Sequence, residues 1–106
     1  MALSPDQQTT ADQQGAYAFE EARADGAALE DGRVEDAKFY AVEAYGLALE
    51  GDARFDTAAP ELLRQYLRAY VKAKFGVPGA LEASQRLWEG MKRKVRQSAR
   101  VAAATP

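Results

Sequence analysis

Small and apolar residues recur at steps of three and four through almost the whole chain, and no stretch shows the alternation with turn chemistry that a strand needs. Gly15, Phe19, Ala22, Gly26 and Leu29 follow this rhythm. So do Val34, Ala37, Ala41, Ala44, Tyr45 and Ala48; then Leu63, Tyr66, Leu67, Tyr70 and Ala73; then Leu81, Ser84, Trp88, Met91 and Val95. Each set is one face of a helix. Helix-stopping segments separate them: Asp31-Gly32, Gly51, and the run Phe75-Gly76-Val77-Pro78-Gly79. The expected fold class is therefore all-α, a compact bundle of four helices with antiparallel neighbours arranged as stacked helical hairpins.

End signals set the expected boundaries. Thr10 and Gln13 have the spacing of a capping box and mark the start of the first helix. That leaves residues 1–9 as a flexible polar arm. The second helix is expected over about Arg33 to Glu50, with Gly51 in the left-handed position beyond it. Asp56 or Thr57 is the expected cap of the third, with Pro60 tolerable in its first turn. The fourth should run from about Ala80 to Arg100, leaving residues 101–106 as a frayed tail. One domain, residues 10–100, accounts for the rest.

Close helix packing suits the composition. Hydrophobic residues make up 47% of 106, much of that alanine, so a modest core burying roughly 60–65% of the unfolded surface is expected. Gly32, Ala37 and Ala44 share the relative spacing of the small positions in tetratricopeptide-type hairpins. Ala41, however, stands where a large aromatic belongs, and no second copy follows at about 34 residues. No family is recognised.

Catalysis has little to work with. There is no cysteine and no histidine, which removes thiolate chemistry, the commonest general base and the commonest transition-metal ligand. Serine occurs only at positions 4, 84 and 98, with no histidine to activate it. Gly76 to Gly79 lacks the lysine and the preceding strand of a phosphate loop. Glu21 and Asp25 have the step of a helical magnesium pair, but no second inward-facing acidic pair accompanies them. Neither enzymatic activity nor a metal or cofactor is expected. Met1 to Asp6 carries no secretory pattern, and no apolar run approaches the roughly 20 residues that span a bilayer. A cytoplasmic location is the expectation.

Charge carries the functional signal. Residues 1–61 hold fourteen Asp/Glu against four Lys/Arg, and residues 62–106 hold ten Lys/Arg against two Asp/Glu. Two candidate surfaces follow. The acidic one is Asp36, Glu43 and Glu50, at steps of seven, thickened by Asp31 and Glu35. The basic one comprises Arg64, Arg68 and Lys72 on the third helix and, on the fourth, Arg86, Arg93 and Arg100 at steps of seven with Lys92, Lys94 and Arg96. These faces suit a protein-interaction module, an adaptor, regulator or inhibitor, whose opposite potentials orient a macromolecular partner. The alternative is a nucleic-acid-binding protein that contacts backbone phosphates through the basic faces. A homodimer would cover the alanine-rich faces. A membrane surface suits the chain poorly, because anionic lipid would repel the acidic half. The competing account of the basic residues is that they pair with the acidic half and bind nothing.

Overall fold

The computed structural model describes residues 2–104. Met1, Thr105 and Pro106, which belong to the expected terminal arms, lie outside the described residues. The elements are α1 (Pro5–Ala24), a 3-10 turn (Asp31–Arg33), α2 (Val34–Gly51), α3 (Phe55–Ala58), α4 (Pro60–Lys74) and α5 (Ala80–Ala104). Four long helices plus a one-turn helix form an all-α bundle, and no strand occurs among the described residues.

Two boundaries differ from expectation at the N-terminal end. The first helix begins at Pro5, so most of the supposed arm is helical. Its capping box is Ser4 and Gln7: the Gln7 backbone N–H donates to the Ser4 hydroxyl at 3.2 Å, and the Ser4 N–H donates to Gln7 Oε1 at 2.8 Å. Thr10 and Gln13 have the same spacing but lie within the helix. At the other end Gly26, with φ +97°, closes α1. Its N–H donates to the Arg23 carbonyl and that of Ala27 to the Ala22 carbonyl, a Schellman motif. Gly26 and Leu29 therefore lie beyond the helix whose face they were expected to continue. Gly76, with φ +79°, ends α4 by the same bonds, as its position implied.

The expected third helix is divided in two. Ala59 takes φ −138° and ψ 51°, outside the helical region, and Pro60 then opens α4 at its first position. A proline disfavours helical geometry in the residue before it, so the break falls there. Asp56 caps nothing. It lies inside α3, and its carboxylate accepts from Gln7 Nε2 of α1 at 2.9 Å and from the Tyr45 hydroxyl of α2 at 3.3 Å. It ties three elements together. At the C-terminal end, α5 continues through residue 104, so the tail expected to fray from 101 is helical that far.

α1, α2 and α4 pack against one another, while α5 lies along α4 and α3. The seam between α1 and α2 is built from small side chains. Ala11, Ala18 and Ala22 of α1 and Ala37, Ala41, Ala44 and Ala48 of α2 are all inaccessible to solvent. At Gly15 the backbones come so close that an added Cβ would lie 2.8 Å from the Ala37 carbonyl oxygen. Larger side chains fill the space between α4 and its neighbours: Phe19, Phe55, Leu63, Leu67, Val71 and Met91 are fully buried. Trp88 seals the α5 side, its ring centroid 5.3 Å from that of Phe55 and 5.4 Å from that of Tyr66.

Gly51 has a different use from the one its position implied. It is the last residue of α2, its φ is not positive, and a Cβ there would meet the Trp88 ring at 2.5 Å. The missing side chain makes room for the tryptophan. The Cα envelope measures 54 × 29 × 17 Å, a slab about two helices thick, given interaxial distances of about 8–10 Å. Such a slab leaves α5 with one packed face and one open face.

Three tyrosines give this packing a pH signature. Burial first, and then the Asp56 carboxylate, push the Tyr45 hydroxyl up to about 12. Burial raises Tyr66, and burial together with a hydrogen bond to Glu43 raises Tyr70. Folded values above the unfolded value of about 10 mean that this stabilisation is complete below that pH and is lost as pH rises through the folded values. The urea unfolding midpoint is expected to show no tyrosine-linked loss up to about pH 10 and to fall between about pH 10 and 12. In Tyr45→Phe that fall should be smaller.

Candidate functional site

The two groups of basic residues, alike in sequence, have different surroundings. On α4, helical spacing puts Arg64, Arg68 and Lys72 on one ridge, and α1 supplies what faces it. Arg68 Nε and Lys72 Nζ each lie 3.6 Å from Glu21 Oε1, an atom closed to solvent. Arg68 also donates to the side-chain oxygen of Gln14, a buried residue on the same face of α1. Arg64 pairs with Glu61 one turn away. Arg68 and Lys72 of this ridge fasten α4 to α1. Arg68→Glu, which sets a carboxylate against Glu21 and strands Gln14, is expected to cost about 2–3 kcal/mol in urea unfolding.

The acidic candidates are also engaged. Asp31 pairs with Arg23, Glu35 with Lys38 at 3.6 Å, and Asp36 with Arg33. Glu43 accepts from the Tyr70 hydroxyl and lies 3.6 Å from Lys74 Nζ. Glu50, exposed near the end of α2, has no cation within 4.0 Å among the described residues. Asp36, Glu43 and Glu50 thus share an outward ridge with the exposed Phe39 and Leu47, but most of its charge is already met within the chain.

α5 differs. Lys92 pairs with Glu89 at 3.4 Å. Arg86, Arg93, Lys94, Arg96 and Arg100 are all exposed, and no carboxylate of the described residues lies within 4.0 Å of any of them. The cause is the topology. The acidic side chains sit mainly on α1 and α2, and α5 packs chiefly on α3 and α4.

Three of these cations border an apolar depression. An open groove of about 530 Å³ runs along the α4–α5 seam, with Leu62, Ala83, Leu87 and Gly90 as its floor and Arg86, Arg93, Lys94 and Gln97 around it. Gly90 keeps the middle of the floor low: a Cβ there would touch the Leu62 methyl group at an ordinary 3.5 Å. Heptad spacing reveals the row of arginines. That Leu62 of another helix completes the floor is visible only in three dimensions.

Tyr66 and Tyr70, the aromatic residues nearest the α4 basic ridge in sequence, are already engaged and are not free to stack on bases. Tyr66 is buried against Trp88, and the Tyr70 hydroxyl is bonded to Glu43. Among the described residues no group of three or more acidic side chains is placed to hold a metal ion, and Glu21 of the candidate pair is committed to Arg68 and Lys72. No helix among them is long and apolar enough to cross a membrane. Comparison with known proteins finds no matching family model, no similar curated protein and no similar solved structure.

Proposed function

We propose that this chain is a non-enzymatic protein-interaction module, an adaptor, regulator or inhibitor, that docks a macromolecular partner through α5. The observation that carries this reading is the contrast between the helices: the cations of α4 pair with carboxylates of α1, α2 and α4 itself, whereas those of α5 other than Lys92 have no carboxylate within 4.0 Å among the described residues. Unpaired charges beside an apolar floor make a surface that both attracts and desolvates a partner. The cysteine-free chain suits the reducing cytoplasm.

A nucleic-acid reading has one observation in its favour, the row Arg86, Arg93 and Arg100 with Lys94 and Arg96 alongside. Phosphate contacts need only such a row, but the apolar floor would then be unused. Capture of partners from nuclease-treated host lysate distinguishes the two. The wild-type chain should retain a specific protein that the variant Arg86→Glu/Arg93→Glu/Lys94→Glu does not. Recovery of nucleic acid alone, lost on nuclease treatment, would overturn the protein-partner reading.

A further inference from the structure

Resting on that interaction-module reading, we infer that the occupant of the α4–α5 groove is an acidic amphipathic helix of another protein. The groove's lining runs from Ala83 to Gln97 along α5, about 21 Å at 1.5 Å per residue, of which the apolar floor from Ala83 to Gly90 takes about 10 Å. The whole lining accommodates about four turns of a partner helix lying along the seam. A helix in such a groove anchors through apolar residues at steps of three and four, here against Leu62, Leu87 and the low point at Gly90. Its flanking carboxylates would meet Arg86, Arg93 and Lys94, which have no carboxylate within 4.0 Å among the described residues.

Charge removes the nearest competitor, a second copy of this chain. Two α5 faces set together would oppose arginine to arginine, which disfavours the pairing. The α2 ridge of a second copy brings Asp36 and Glu43, which Arg33, Lys74 and Tyr70 already hold, and leaves only Glu50 to answer three cations. An acidic helix from elsewhere satisfies both the rim and the floor.

The test uses the full chain and a fluorescent synthetic peptide about eighteen residues long, of leucine, alanine and glutamate, with leucines on one face and glutamates flanking them. A scrambled peptide of the same composition, with no apolar face, is the control. Anisotropy titration should show saturable binding of the amphipathic peptide, at least about tenfold tighter than the scrambled one. Arg93→Glu should weaken it about tenfold or more. So should Gly90→Leu, which fills the groove without altering charge. Equal binding of both peptides, or indifference to Gly90→Leu, would overturn the inference, as would displacement of the peptide by a short DNA duplex that binds Gly90→Leu and wild type alike. If the peptide fails while lysate capture still depends on the α5 cations, the partner class is wrong and the interaction-module reading survives. Failure of both removes the reading as well.

Discussion

Trp88→Ala is expected to lower the unfolding free energy by about 3–5 kcal/mol, the range for removing a large aromatic from a packed site. Its ring lies edge-on to Phe55, tilted against Tyr66, and over the end of α2 where Gly51 leaves space. No other aromatic residue lies on α5, so this side chain joins the last helix to α2, α3 and α4 at once. A fall below about 1 kcal/mol in urea unfolding would mean that α5 is held mainly by Met91 and Val95. The reverse experiment probes the same contact from the other side. Gly51→Ala puts a methyl group 2.5 Å from the ring, so it should also destabilise, by about 1–3 kcal/mol, despite its gain in helix propensity.

Gly15→Ala should be nearly as damaging, about 3 kcal/mol or more. The clash here is with backbone: the added carbon would lie 2.8 Å from both the Ala37 oxygen and the Lys38 Cα. A side chain can rotate away, whereas relief at this seam requires α1 and α2 to separate along a row of alanines. Gly46→Ala is the matched control. It lies on α2 with nothing within 4 Å of the added carbon, so the ordinary helical preference for alanine should stabilise the protein by up to about 1 kcal/mol. Opposite signs from one chemical change would show that the α1–α2 packing distance is set by the missing side chain at position 15. Thermal or urea unfolding of the two variants checks this.

The helices are legible in the sequence because the buried positions follow one period throughout. Ala37, Ala41, Ala44, Tyr45 and Ala48 line the buried face of α2 in the rhythm that predicts it, and Leu63, Tyr66 and Leu67 do so on α4. Helix ends are less legible, since Ser4 with Gln7 and Thr10 with Gln13 offer the same box and spacing alone does not choose between them. Gly51 illustrates a second ambiguity: a glycine at a helix end can serve a left-handed turn or a neighbour's ring. Only the arrival of Trp88 from residues much later in the chain decides it.

The candidate site was half legible. Heptad spacing marks Arg86, Arg93 and Arg100 as one row, and steps of four mark Arg64, Arg68 and Lys72 as another. Whether a cation is free depends on which helix packs over it. Glu21 meets Arg68 across more than forty residues of sequence, a pairing that no local pattern records. The charge division of the chain is thus partly an internal adhesive, holding α1 to α4 and α2 to α4. The remainder is gathered on the helix farthest from the acidic half in sequence, where no carboxylate of the described residues lies within 4.0 Å of Arg86, Arg93, Lys94, Arg96 or Arg100.

The most direct test compares urea unfolding of two triple charge reversals, Arg64→Glu/Arg68→Glu/Lys72→Glu and Arg86→Glu/Arg93→Glu/Lys94→Glu. Exposed positions with no ion-pair partner among the described residues should tolerate reversal, so the α5 variant is expected to unfold within about 0.5 kcal/mol of wild type. The α4 variant, with carboxylates set against Glu21, should lose about 3 kcal/mol or more. Equal losses in both variants, or an α4 variant as stable as wild type, would contradict the division of the basic residues into a structural ridge and a free docking face.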